Sequence, residues 1–131
     1  METELTSGIE ATLRAEAARA HPLECCGLLL GRGERLLEVR PAANVHGSPQ
    51  RQFEIDPAAL IAAHRAARAG GLQVLGYYHS HPNGLAQPSA TDRAQASGDG
   101  RIWAIVAGDQ VTWWRDGRDG FEVLPTRLAA G

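Results

Sequence analysis

The sequence QVLGYYHSHP, residues 73–82, carries the strongest structural signal in the chain. Its β-branched and aromatic residues favour a strand from Gln73 to His79, and the Pro- and Gly-rich segment 80–88 predicts a loop after it. His79 and His81 lie two positions apart where the strand gives way to the loop. Side chains at that spacing project to the same face of an extended segment, so we expect both imidazoles to reach one site.

The segment before this strand predicts two helices with a strand hairpin between them. Ser7 and Glu10 have the spacing of a capping box, which favours a first helix that ends at residues 21–22. Short apolar runs over 26–32 and 35–40 predict the hairpin, and a loop over 41–50 precedes a short strand at 52–55. Asp56 then caps a second helix, which ends at residues 70–71.

The segment after this strand predicts one short helix and three closing strands. The helix begins at Ser89 and ends near residue 97, and we expect the strands over 101–107, 110–115 and 120–124. This order predicts an α/β fold with a central mixed sheet flanked by helices, as a single domain over residues 1–131. Periodicity alone leaves the order of the strands in the sheet open.

The composition is that of a folded domain without a strong charge of either sign. The chain has 131 residues, of which 44% are hydrophobic and 21% charged, and its net charge is −2. This balance excludes disordered and collagen-like chains, and it disfavours nucleic acid and anionic membranes as partners. No apolar run approaches the ~20 residues of a membrane helix. The adjacent Cys25 and Cys26 suit a reducing compartment, so we expect a cytoplasmic protein.

Asp92 adds a carboxylate to the two imidazoles, eleven positions after His81. Zinc accepts two nitrogen ligands and one oxygen ligand, and three protein ligands leave the fourth tetrahedral position open, as in catalytic sites. A competing interpretation is that Ser89 and Asp92 form a capping box at the start of the short helix, which requires no metal. For Asp92 considered alone, the capping box is the simpler interpretation.

The full spacing, His79-x-His81 followed after seven residues by Ser89-x-x-Asp92, resembles the signature of the JAMM family, the zinc metalloproteases of the MPN-plus domain (Mov34/MPN/PAD-1 type). Three longer segments resemble the same family: PLECCGLLLG at 22–31, FEIDP at 53–57 and GYYHSHP at 76–82. The similarity spans residues 7–114, and the short chain resembles the stand-alone prokaryotic branch of the family.

The resemblance implies a specific set of site residues. It implies one zinc ion with His79, His81 and Asp92 as ligands. It also implies that Glu24 acts as general base and that the Ser89 hydroxyl helps to stabilise the developing oxyanion, roles that any amide hydrolase must fill.

The residues alone leave the general base open, because Glu24 is far from His79 in the sequence. The other glutamates that compete for this role are Glu10, Glu16 and Glu54. The family resemblance favours Glu24, since the run CCGLLLG follows it directly.

The resemblance further implies a mixed, curved sheet with a cytidine-deaminase-like architecture. It implies a metallopeptidase or isopeptidase that hydrolyses the amide bond after the C-terminal Gly-Gly tail of a ubiquitin-like or sulfur-carrier protein. Such a tail is the expected partner, lying extended along an exposed strand edge. Neither nucleic acid nor a membrane is expected as a partner.

Other functions remain as alternatives. A non-catalytic MPN scaffold is one, although scaffolds of this type usually lack the metal ligands that this chain retains. A RadC-like, DNA-repair-associated protein would share HSHP at 79–82 and PSATD at 88–92, but the FEIDP segment and the lack of a basic stripe oppose it. Zinc nucleoside deaminases require a P-C-x-x-C pair, which the sequence lacks. A cysteine hydrolase is opposed by the position of Cys25 and Cys26 at the start of an apolar strand.

Overall fold

One mixed sheet contains all eight strands found in residues 2–129, the part of the chain that this computed structural model describes. The strands are β1 (Thr3–Leu5), β2 (Cys26–Arg32), β3 (Arg35–Ala42), β4 (Gln73–Ser80), β5 (Ile102–Ala107), β6 (Gln110–Gly117), β7 (Gly120–Val123) and β8 (Thr126–Leu128). The helices are α1 (Ile9–Ala20), α2 (Pro57–Arg68) and α3 (Ala90–Gln95). The strand order across the sheet is β7-β6-β5-β4-β2-β3-β1-β8.

The parallel neighbours β4 and β5 lie at the centre of the sheet, and α3 belongs to the connection between them. Antiparallel strands flank this pair, β2 beside β4 and β6 beside β5. In open α/β sheets, ligands bind in the crevice beyond the carboxyl ends of parallel strands. His79 lies at that end of β4, so the sheet topology itself places it where a site is expected.

The two faces of the sheet have different covers, because successive strand residues point to opposite sides. Leu29 and Tyr78 pack with Leu13 of α1 on one face. Leu28 packs with Ala63 of α2 on the other. All six residues of β5 are buried, as expected for a central strand covered on both faces.

The start of α2 agrees with the sequence prediction. Asp56 is the N-cap, its carboxylate accepts a hydrogen bond of 3.0 Å from the backbone N–H of Ala58, and Pro57 occupies the first helical turn. None of the three helices in the described part of the chain is long and apolar enough to cross a membrane.

The predicted capping box at α1 is wrong. Gly8 is the N-cap, with a φ of 90° that favours glycine, and a glycine has no side chain with which to cap the helix. Glu10 instead accepts a hydrogen bond of 2.8 Å from the indole N–H of Trp113, so this tertiary contact takes the carboxylate away from the helix end.

The predicted strand at 52–55 is also wrong. The segment is irregular and contributes one isolated bridge, between Asn44 and Ile55. The Asn44 side chain satisfies the neighbouring backbone: its amide N–H donates to the carbonyl of Gln52 and its carbonyl accepts from the N–H of Glu54, both at 3.1 Å. Two backbone hydrogen bonds flank this bridge, and the side chain of Asn44 supplies the other bonds, so no regular strand forms.

We expect Gly76→Ala to destabilise the fold, because a methyl group at this position of β4 would overlap the backbone carbonyl of Ile102 in β5. Overpacking typically costs about 1–3 kcal/mol, and a clash with backbone belongs at the upper end of that range. Gly47→Ala is the matched control, since a methyl there meets no described atom within 4 Å. Urea unfolding compares the two variants, and equal midpoints would contradict the close approach of β4 to β5.

Candidate metal centre

The three predicted metal ligands converge at the carboxyl end of β4. The Nε2 atoms of His79 and His81 lie 3.0 Å apart. Asp92 lies with Oδ1 3.0 Å from Nε2 of His79 and Oδ2 3.0 Å from Nε2 of His81. All three side chains are buried. The structure thus brings two imidazole nitrogens and one carboxylate to a single point.

The backbone and a loop carbonyl hold His81 in place. Its N–H donates to the carbonyl of Val106 in β5 at 2.8 Å, and its Nδ1 lies 2.6 Å from the carbonyl oxygen of Leu85. A carbonyl oxygen only accepts, so Nδ1 carries the proton of the neutral ring. In the neutral ring Nε2 is therefore unprotonated and presents a lone pair to the cluster, which is the tautomer that a metal ligand requires. In the protonated ring Nε2 instead donates to Oδ2 of Asp92.

The capping box of α3 and the cluster are both present, and they share one carboxylate. The Ser89 hydroxyl accepts a hydrogen bond of 3.0 Å from the N–H of Asp92, and Oδ2 of Asp92 accepts one of 2.9 Å from the N–H of Ser89. The two interpretations of the sequence are therefore not alternatives. Because the Ser89 oxygen accepts from the backbone, its own proton remains available for a further acceptor.

Sheet pairing places Glu24 opposite His81. Cys26 pairs with His79 in the antiparallel register of β2 and β4. The pairing continues beyond the strand end, where the N–H of Cys25 donates to the Ser80 hydroxyl at 2.8 Å and the N–H of Ser80 donates to the Cys25 carbonyl at 3.1 Å. One further step along this register reaches Glu24 and His81.

Glu24 is buried, with 7% of its surface exposed. Its N–H donates to the carbonyl of Pro49 at 2.8 Å, and its carbonyl accepts from the Asn44 amide at 3.0 Å. Of the competing glutamates, Glu10 is bonded to an indole and Glu16 is paired with Arg19 at the helix surface.

The protonation states of the cluster follow from burial and hydrogen bonding. Burial lowers the pKa of His79. Burial also lowers the pKa of His81, but hydrogen bonds to Asp92 and Leu85 and the charges of Asp92 and Glu24 outweigh it, so the net shift is upward. Burial opposes ionisation of Asp92, yet the hydrogen bonds from His79 and His81 hold its pKa well below its usual range. An ionised carboxylate facing histidine nitrogens is a donor set suited to a cation.

The pKa of Glu24 shifts in the opposite direction to that of Asp92. Burial raises its pKa from 4.5 to about 7; the charge of His81 opposes this change and that of Asp92 adds to it. A carboxyl group with a pKa near neutrality can both take up and release a proton at physiological pH.

One groove lies at each end of α3. The larger, of about 860 Å³, runs from Ser89 along the loop 83–88 to β6 and β7. The smaller, of about 500 Å³, reaches Gln95 at the other end of the helix and is lined by the rings of Phe53 and Trp103.

The family model described as "Prokaryotic homologs of the JAB domain" matches residues 6–116. The chain belongs to this family. The match confirms the resemblance seen in the sequence and extends over both histidines, Asp92, Ser89 and Glu24.

This JAB domain is similar to two curated proteins. It is 36% identical over 98 residues to a desampylase from Haloferax volcanii, covering 73% of this chain and 70% of the relative. It is 43% identical over 89 residues to a probable TtuB-protein conjugate cleaving protease from Thermus thermophilus, covering 68% of this chain and 60% of the relative. The alignments thus leave about three tenths of the first relative and four tenths of the second unmatched.

Solved structures share the fold. A protein from Desulfitobacterium hafniense superposes with a TM-score of 0.83 at 30% identity, covering 98% of this chain and 93% of the other. A JAB1/MPN domain protein from Archaeoglobus fulgidus superposes with a TM-score of 0.61 at 20% identity, covering 96% and 97%. The predicted α/β fold with a mixed sheet flanked by helices is confirmed.

Sequence reasoning missed two groups that contact the histidines of this JAB domain. The carbonyl of Leu85 is a backbone group, which every residue has, so the sequence does not indicate its contact with His81. The ring of Phe53 stacks on that of His79, with centroids 4.3 Å apart and planes at 18°. Phe53 lies in the FEIDP motif, but the local pattern there predicts only a strand followed by a helix and indicates no contact with His79.

We expect Glu24→Gln to stabilise the metal-free protein increasingly with pH. The pKa of Glu24 rises from 4.5 to about 7 on folding, so its ionisation costs stability as the pH increases through that interval. The cost is at most about 3 kcal/mol above pH 7, and glutamine does not ionise. Urea unfolding in chelator at pH 5 and pH 8 measures the difference between wild type and variant. A difference independent of pH would contradict the raised pKa.

Proposed function

We propose that this chain is a zinc-dependent metallopeptidase of isopeptidase type, which hydrolyses the amide bond after the C-terminal Gly-Gly tail of a ubiquitin-like or sulfur-carrier protein. The observation that carries the proposal is the buried convergence of His79, His81 and Asp92 beside the carboxyl group of Glu24. The relatives named desampylase and probable TtuB-protein conjugate cleaving protease support the same class of substrate.

In this proposal His79, His81 and Asp92 hold one zinc ion. The donor set fits, since two imidazole nitrogens and a carboxylate form a common catalytic zinc environment with one position left over. Zinc bound in this way supplies a Lewis acid that polarises a carbonyl group and acidifies water to a pKa of roughly 7.

Glu24 moves the proton. Its carboxylate accepts a proton from the attacking water and later delivers it to the leaving amine nitrogen, so that the amine departs in neutral form. Burial, which raises the pKa of Glu24, favours its uptake of the proton from water. The backbone of Glu24 is hydrogen-bonded to the Pro49 carbonyl and to the Asn44 side chain, and these bonds hold the residue in position.

Ser89 stabilises charge on the substrate. Its hydroxyl oxygen is oriented by the N–H of Asp92, which leaves the hydroxyl proton for the oxygen of the reacting carbonyl group. A donor whose target becomes charged only in the transition state accelerates the reaction without tightening substrate binding.

A cytoplasmic location belongs to the same proposal. Cys25 and Cys26 carry free thiols, and thiols persist in a reducing compartment.

The decisive experiment is incubation of the zinc-loaded protein with conjugates of Gly-Gly-tailed carrier proteins, followed by intact-mass analysis. We expect a free carrier that ends in Gly-Gly and an intact leaving group. Glu24→Gln should retain stoichiometric zinc and lose activity by about 10²–10⁴-fold, the range that general base catalysis contributes. Full activity in this variant would remove Glu24 from the mechanism. A wild-type protein that binds no zinc and gains no stability from it would instead favour the non-catalytic scaffold.

A series of substitutions at Ser89 separates its chemical role from its role in the helix cap. Glycine costs an N-cap only a few tenths of a kcal/mol, whereas alanine costs about 1 kcal/mol. We expect Ser89→Gly and Ser89→Ala to retain zinc and to lose kcat by a similar factor, of order 10²–10³, because both lack the hydroxyl. Ser89→Thr should retain most activity. Loss of zinc in the glycine variant would indicate that Ser89 acts only through Asp92.

A further inference from the structure

The two histidines of the cluster are held in different ways. Nδ1 of His81 faces the Leu85 carbonyl, whereas Nδ1 of His79 is buried without a hydrogen-bond partner among residues 2–129. A metal-binding histidine almost always donates its second ring N–H to an acceptor, which fixes the orientation of the ring. His79 therefore needs another source of orientation.

Two aromatic rings contact His79 from perpendicular directions. Phe53 lies flat against the imidazole, with centroids 4.3 Å apart and planes at 18°. Trp103 meets it edge-on, at 5.7 Å and 87°. Phe53 and Trp103 also contact one another, at 6.2 Å and 77°. Contacts from both directions restrict χ1 and χ2 of His79 together.

The backbone around Phe53 is fixed independently of the cluster. The amide N–H of Asn44 donates to the carbonyl of Gln52 and its carbonyl accepts from the N–H of Glu54, so one side chain holds the residues on both sides of Phe53. The same amide also donates to the carbonyl of Glu24. The backbone of Phe53 is thus held in place although the segment is irregular, and its ring has a fixed position against His79.

We propose that Phe53 is a positioning residue for the metal: its ring takes the place of the hydrogen bond that His79 lacks and sets the direction in which Nε2 of His79 faces Asp92. The inference rests on the proposed zinc site. A cation at Nε2 withdraws electron density from the imidazole, and the π-face of Phe53 interacts favourably with such an electron-poor ring. The stack therefore stabilises the metal-loaded protein more than the metal-free one.

The chain offers a matched control in Phe121. This residue also packs on Trp103, at 4.9 Å and 66°, but from β7 on the far side of β6. Phe121→Leu removes an aromatic contact from Trp103 and leaves the ring that stacks on His79. Phe53→Leu removes the stack itself, Phe53→Met fills a similar volume without a ring, and Phe53→Tyr keeps the ring.

The test measures affinity for Zn²⁺ by competition with a chelator, and the visible absorption of the Co²⁺-loaded protein. We expect Phe53→Leu and Phe53→Met to bind Zn²⁺ about tenfold more weakly, as for loss of an outer-shell partner, and to shift the Co²⁺ bands. Phe53→Tyr and Phe121→Leu should resemble wild type in both readouts. Thermal unfolding without metal identifies any variant that has lost its fold. If Phe53→Leu does not fold, Phe53→Met alone tests the loss of the ring.

Several outcomes would overturn the assignment. Wild-type Zn²⁺ affinity in Phe53→Leu and Phe53→Met would remove the positioning role while leaving the proposed function intact. An equal loss in Phe121→Leu would indicate general loosening of the aromatic cluster instead. Failure of the wild-type protein to bind Zn²⁺ would overturn the proposed function itself, which is a different result from either of these.

Discussion

The position of β4 between an antiparallel and a parallel neighbour is the constraint on which the site depends. Hydrogen bonds to β2 fix which residues stand opposite His79 and His81, and hydrogen bonds to β5 fix how far the strand extends. A slip of one residue would turn His79 toward the face covered by α1, because strand side chains alternate. Gly76 makes the close approach to β5 possible, since a side chain there would overlap the neighbouring backbone.

The shared carboxylate of Asp92 explains why the sequence pattern was ambiguous. A capping box and the JAMM signature both place an acidic residue three positions after a serine, and the short helix here uses the same side chain for both. Spacing alone therefore leaves the choice open for Asp92. The geometry resolves it because the carboxylate has two oxygens: Oδ2 meets Ser89 and His81, and Oδ1 meets His79.

Local signals predicted most of the elements and the His-x-His pair, because strand alternation and helix caps depend on neighbouring residues. Two of the failures involve contacts made by side chains outside the local pattern. The carboxylate of Glu10 bonds to the Trp113 indole instead of capping the helix, and the side chain of Asn44 supplies hydrogen bonds on both sides of Phe53 in place of a regular strand. The edge strands β1 and β8 have three residues each, which is too short for a periodic signal. Glu24 needed the family resemblance, since only the sheet register connects it to His81.

The capping box has a further consequence for how the centre is assembled. The orientation of Asp92 is set by backbone groups of its own helix, and the fold is stabilised by a hydrophobic core on each face of the sheet. Small zinc domains that lack such a core unfold when the ion is removed. Here, by contrast, backbone and packing contacts position the coordinating groups, so we expect removal and return of the ion, or its exchange for another of similar preference, to need no refolding step.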